Sequence, residues 1–139
     1  MDPLLEVLSA TGERFSEPFT VADLRRPDEP LVYVNLAFVA MTGYSLDEVL
    51  NRNCRFLQGA ATDPWVSASI RTCINQRASG YFDVLNHKKD GSVFWNRLVL
   101  FPVGYDESSY DYYVGIQHNI NDFDDVRERF TAYVDARQV

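Results

Sequence analysis

Asn51-Arg52-Asn53-Cys54-Arg55-Phe56-Leu57-Gln58-Gly59 packs a thiol, guanidinium groups and carboxamides into one short run, with Phe56 and Leu57 set among them. The run is too polar for a core segment and too apolar for a plain surface loop. It suits the lining of a concave site whose ligand carries both a ring and charged oxygens. Taken singly, Cys54 has the duller reading of a small buried hydrophobe, and Arg55 that of a solvated cation. Partners elsewhere in the chain decide between these readings.

The flanking sequence supplies a scaffold. Upstream, Ser45 and Glu48 make a capping box for a short helix that leads into the run. Before it, Asn35 caps a helix carrying Phe38, Val39 and Met41, and Gly43 closes it. Residues 18–23 and 31–34 read as strands joined by the proline-rich turn 25–30. At the start of the chain, Asp2 caps and Pro3 opens a helix with Leu4, Leu5, Val7 and Leu8 on its apolar side, and Gly12 is expected to end it. Downstream, Asp63-Pro64 opens a longer helix with Ile70 and Ile74 four apart. The period then changes from helical to alternating. Residues 81–87, 93–101 and 110–120 read as strands, with a hairpin turn at Lys89-Asp90-Gly91 and a polar connection at 104–109. Asn121 and Asp124 cap a final helix through Ala136.

The expected fold is α+β: a five-stranded antiparallel sheet with short helices on one face and flanking helices at both ends. The divisions are 1–17 as an N-terminal flanking helix, 18–120 as the core and 121–139 as a C-terminal flanking helix. A chain of 139 residues suits one domain. Its net charge of −7 argues against a nucleic-acid backbone binder. No apolar run is long enough to span a bilayer and no secretory pattern appears, so neither membrane nor nucleic acid is an expected partner. Two cysteines make no disulfide framework and fit a reducing cytoplasm.

Strand parity gathers a second set of polar groups. With period two, Phe82, Val84 and Asn86 share a face, as do Phe94, Asn96, Leu98 and Leu100, and as do Tyr113, Gly115, Gln117 and Asn119. Burying these faces puts the amides of Asn86, Asn96 and Gln117 among apolar side chains. Each costs about 1–3 kcal/mol unless hydrogen-bonded. The amides either satisfy one another or water, or they read the edge of a flat heteroaromatic ligand. Gly115 would let a ring approach the backbone. Arg55 and Arg71 suit one anionic group, and arginine matches phosphate geometry. A phosphate end, a ribose-like chain near Asn53 and Gln58, and a ring at the amides describe flavin mononucleotide (FMN).

These residues resemble a LOV (light-oxygen-voltage) domain of the PAS superfamily. The resemblance rests on Asn53 through Gly59, Arg71, Asn86, Lys89-Asp90-Gly91, Phe94-Trp95-Asn96 and Gly115-Ile116-Gln117. It implies a blue-light photoreceptor of PAS fold that binds FMN, with Cys54 as the photoactive cysteine. Light would join the Cys54 sulfur to flavin carbon C4a with a proton on N5, and the bond would break again in the dark. Arg55 and Arg71 would hold the phosphate, Asn53 and Gln58 the ribityl and phosphate end, and Asn86 and Asn96 the pyrimidine edge. Leu98, Leu100, Tyr113 and Gly115 would complete the cofactor-binding set. Gln117 would sense N5. Its NH₂ would face the unprotonated nitrogen, and its oxygen would turn to accept once N5 is protonated. The resemblance also places Glu48 and Lys89 as an ion pair outside the pocket.

The chain departs from the family pattern at three places. Asn51 stands where glycine is common and must tolerate positive φ. His87-Lys88 replaces tyrosine-arginine, with His87 expected on the outer face away from the flavin. Tyr113 stands where phenylalanine is usual. An enzyme is the main rival, but a Cys54–histidine pair would need His87 or His118, both on the opposite strand face. No dinucleotide glycine pattern follows a strand, and two cysteines with two histidines fail as a zinc site by spacing. A light-inert PAS interaction module and a flavin redox sensor are the alternatives. Signalling is expected through a homodimer that uses the terminal helices and the outer sheet face (Val114, Ile116, Ile120), or through an unidentified downstream protein. The stripe Phe123, Val126, Phe130, Tyr133 and Val134 and the leucines of the first helix would be covered there.

Overall fold

Residues 19–119 build a five-stranded antiparallel sheet whose two faces have different owners. A computed structural model describes residues 2–106, 108–120, 131 and 134–136. In chain order the elements are α1 (Pro3–Arg14), β1 (Phe19–Asp23), β2 (Leu31–Val34), α2 (Leu36–Thr42), α3 (Leu46–Val49), a 3₁₀ turn (Cys54–Leu57), α4 (Pro64–Asn75), β3 (Gly80–His87), β4 (Val93–Asp106) and β5 (Ser109–Asn119). The strand order is β2-β1-β5-β4-β3. β1 therefore pairs with β5, the last strand, and the two halves of the sheet meet at Thr20↔Gly115.

The inner face is covered by α2, α3, the 3₁₀ turn and α4. Leu31, Val34, Phe38, Val49 and Leu57 form one buried cluster under Cys54 and Phe56. Ile70, Val84, Leu100 and Tyr113 form another beneath α4. Fully burying such a side chain stabilises the fold by about 1.5–3 kcal/mol. Asn35 ties these parts together. Its Oδ1 accepts from the backbone N–H of Phe19 and of Phe38, and its Nδ2 donates to the carbonyls of Gly12 and Glu17. One side chain thus caps α2 and anchors the α1–β1 link.

The outer face belongs in part to α1. Leu4, Leu5 and Leu8 pack on Phe19, Val21, Tyr112 and Val114. The Asp2 carboxylate accepts from the hydroxyls of Tyr105 and Tyr112, and these bonds hold its pKa below the ordinary value. The leucines of α1 are thereby partly buried within one chain and Val114 fully so, while Val7 stands exposed.

Gly12 does not end α1, which continues to Arg14. A Cβ there would lie 2.5 Å from the Tyr33 ring, so glycine is present for close approach, not termination. The expected polar connection at 104–109 is also corrected. Gly104 and Asp106 still pair across to Tyr110 and Ser109, through an irregular register. Asp106 Oδ1 accepts from the Ser108 N–H and hydroxyl, closing a tight hairpin. Val134 lies in a described helical stretch, but the rest of the expected final stripe, Phe123, Val126, Phe130 and Tyr133, lies outside the described residues. Among the described residues no helix is long and apolar enough to cross a membrane.

Candidate functional site

Between the inner sheet face, the 3₁₀ turn, α4 and the β1–β2 loop lies a cavity of about 200 Å³. Its approach is set by Asn51, which adopts φ +68 and turns the chain from α3 toward Cys54. Asn53 caps the 3₁₀ turn, its Oδ1 accepting from the Arg55 N–H at 2.9 Å. Cys54 starts the turn and lines the cavity. The residue is half-buried, yet burial of its sulfur pushes the thiol pKa up to about 12. At neutral pH Cys54 is therefore a thiol carrying its proton, not a standing thiolate nucleophile.

The sheet supplies the opposite wall: Asn86, Asn96, Leu98, Leu100, Tyr113, Gly115 and Gln117 all line the cavity. Asn86, Asn96 and Gln117 are buried. They satisfy one another only in part. Asn96 Nδ2 donates to Asn86 Oδ1 at 2.9 Å, and Gln117 Nε2 donates to Thr20 Oγ1 at 3.2 Å. Asn96 Oδ1 and Gln117 Oε1 are buried without a hydrogen-bond partner. Two orphaned acceptors in side chains lining one cavity fit a ligand that brings donors to that wall.

The mouth is charged. Arg55, Arg71, Asn53 and Gln58 line it as expected, together with Asp28, Glu29 and Asn75. Arg55 Nη2 meets the Asp28 carboxylate at 2.6 and 2.7 Å, and Asn53 Nδ2 donates to the Asp28 carbonyl. Arg77 pairs with Glu29 at 3.3 Å. The Asp28 carboxylate thus stands in for an anion beside Arg55. Gln58 Oε1 accepts from the Ser67 hydroxyl at 2.8 Å. The cavity is smaller than a typical ligand pocket of about 300–1,000 Å³. In donor and acceptor chemistry the walls fit the flavin that the fold family implies.

Sequence reading missed Asp28 and Glu29 at the mouth, because residues 25–30 read only as a turn. It also missed Thr20, Ala22 and Leu24 as cavity residues, although period-two parity on β1 would have placed Thr20 and Ala22 on the inner face. Tyr113 finds its partners away from any ligand: its hydroxyl donates to the Ala78 carbonyl at 2.6 Å and lies 3.1 Å from the Cys73 carbonyl. His87 is not among the residues that line the cavity, and its ring packs where a Cβ of Gly59 would be, with Nδ1 buried and unpartnered. It sits near the edge of the sheet, where the 59–62 loop is drawn in by the Thr62 hydroxyl bonding to the Leu85 carbonyl. Glu48 and Lys89 form the expected ion pair at 2.8 Å, which lowers the Glu48 pKa to about 2.

Comparison with known proteins now bears on this geometry. The PAS domain family matches residues 17–122. The solved LOV domain of the Erythrobacter litoralis EL346 blue-light activated histidine kinase aligns with a TM-score of 0.74 and 41% identity, covering 77% of this chain and 98% of that one. The chain is a LOV domain of the PAS family. A Rhodobacter sphaeroides LOV protein aligns with a TM-score of 0.80 at 31% identity, over 86% of this LOV domain and 69% of that chain. A blue-light-activated histidine kinase of Rhizobium johnstonii is 44% identical over 118 residues, 85% of this chain and 34% of the relative. The LOV domain spans about a third or less of the first curated relatives it matches. It is a blue-light-sensing flavoprotein module.

Proposed function

We propose that this LOV domain binds FMN and reports blue light through reversible addition of Cys54 to it. The observation that carries this reading is the buried, unpartnered acceptor of Asn96 in the wall of a cavity that the protonated Cys54 thiol also lines. A bound flavin would supply blue absorption and an electrophilic carbon, C4a. Cys54 would supply both sulfur and proton, its S–H adding across flavin C4a and N5 under light, so that electrons would balance without an external oxidant. Arg55 and Arg71 would bind the phosphate, with Arg55 leaving Asp28 to do so. Asn53 and Gln58 would meet the ribityl end, and Asn86 and Asn96 the pyrimidine edge. Leu98, Leu100, Tyr113 and Gly115 would wall the ring, and Gln117 would face N5. We read residues 18–120 as the sensing core, with 1–17 and 121–139 flanking it.

For output we propose a homodimer. Because α1 covers only part of the outer face, the interface would use the remaining outer residues of β3 and β4, where Tyr81, Val93 and Val99 are exposed, together with the C-terminal segment. Purified protein should carry a blue absorption band that bleaches under light and recovers in darkness. Cys54→Ala should keep the band and lose the bleaching; bleaching that persists in that variant refutes the assignment. Light scattering across micromolar to millimolar concentration tests the dimer, and a monomer throughout rejects it.

A further inference from the structure

Thr20 and Gly115 sit directly opposite each other where β1 meets β5. Thr20 is 5% exposed, and its side chain joins the wall of the cavity. Its hydroxyl does two things. It accepts from Gln117 Nε2 at 3.2 Å, and it donates to the Gly115 carbonyl at a long 3.4 Å. A Cβ on Gly115 would lie 2.6 Å from Thr20 Oγ1 and 3.4 Å from Gln117 Nε2. The bare glycine therefore leaves the space in which hydroxyl and amide meet. The other end of that amide, Gln117 Oε1, is buried with no partner.

A carboxamide has a donor end and an acceptor end, and a hydroxyl is both a donor and an acceptor. With nitrogen toward Thr20, the amide donates to the hydroxyl, as seen here. With the amide reversed, its oxygen meets the same hydroxyl, which can release the long bond to Gly115 and donate to that oxygen instead. We infer that Thr20 is a positioning residue: a two-way hydrogen-bond partner that lets the Gln117 carboxamide reverse inside a closed core. The inference rests on the reading above, in which Gln117 faces flavin N5 and must present nitrogen in the dark and oxygen after N5 is protonated. A purely apolar neighbour would leave one end of the amide unpaired in either orientation and throughout the turn between them. The hydroxyl exchanges roles as the amide turns and so lowers the barrier to reversal. Thr20 touches neither the Cys54 sulfur nor any proton in transit in this account, and it acts only through Gln117.

The test compares wild type, Thr20→Val and Thr20→Ser. Valine keeps the shape and strand preference but removes the hydroxyl, and serine restores the hydroxyl without the methyl group. In the flavin-loaded proteins, Thr20→Val should still bleach, and its dark recovery should slow by about 2- to 12-fold, the rate equivalent of one net hydrogen bond. Thr20→Ser should recover within about 2-fold of wild type. A second readout needs no flavin. In cofactor-free wild type, NMR should show a nuclear Overhauser contact between the Gln117 NH₂ protons and Thr20, and the NH₂ resonance should shift in Thr20→Val but not in Thr20→Ser. Absence of that contact in the wild type overturns the inference whether or not the valine variant folds. Unchanged recovery in Thr20→Val, with wild type bleaching normally, also overturns it and leaves the photoreceptor reading intact. A wild type that binds no flavin overturns both.

Discussion

Replacing Asn96 by leucine separates a ligand-reading amide from a structural one. In the folded protein Asn96 is 1% exposed, donates one bond of 2.9 Å to Asn86 Oδ1, and leaves its own Oδ1 unpartnered. An unsatisfied buried acceptor costs about 1–3 kcal/mol. Asn96→Leu removes that orphan and creates another on Asn86 Oδ1, so the two costs nearly cancel in cofactor-free protein. Lost neutral hydrogen bonding of about 0.5–1.5 kcal/mol remains, offset by added apolar burial. The expected net change in cofactor-free stability is within about 1.5 kcal/mol of zero. With flavin present the balance differs, because the ring edge loses its partner on the sheet. That costs about 1–3 kcal/mol, or about 5- to 150-fold in affinity. Urea denaturation of the cofactor-free protein and fluorescence titration with FMN give the two numbers. A cofactor-free variant destabilised by more than about 3 kcal/mol, with FMN affinity unchanged, would show that the amide serves the fold and would refute the reasoning.

Three further outcomes follow from the charged groups. Lys89 holds the Glu48 pKa near 2, below its ordinary 4.5, so the pair contributes stability above pH 4.5 that is lost as pH falls toward 2. Glu48→Gln should lower the melting temperature slightly at pH 7 with bleaching intact, and the difference should vanish across that window; a constant difference refutes the pairing. Asp28→Asn frees Arg55 for phosphate and should raise the affinity ratio of FMN to riboflavin by up to about 5-fold in parallel titrations, and an unchanged or lower ratio counts against the exchange. Because burial raises the Cys54 thiol to about 12, bleaching yield should stay flat from about pH 6 to about pH 10, and an inflection near the ordinary thiol value of about 8.5 would contradict the burial.

Local rules in the sequence determined most of the elements and much of the site. Caps at Asp2, Asn35, Ser45 and Asp63 act over a few residues, so each was legible without knowing the fold. Strand parity is equally local. It correctly put Asn86, Asn96 and Gln117 on one face, and the contiguous run Asn53–Gly59 carried the family resemblance. What the tertiary structure decided depends on groups far apart in the chain. Gly12 looked like a helix terminator because local propensity cannot see the Tyr33 ring that packs against it. The leucines of α1 read only as an apolar stripe in need of a cover, and the fold shows that Tyr112 and Val114 of β5 supply part of it. The turn 25–30 looked like a solvated loop, yet pairing of β1 with β2 swings Asp28 and Glu29 over the cavity mouth to Arg55 and Arg77. Thr20 looked like one more strand residue. It became the partner of Gln117 only because the first strand pairs with the last, across 97 residues of sequence. Periodicity fixes the face a side chain occupies, and only closure of the sheet fixes which distant hydrogen-bonding group it meets there.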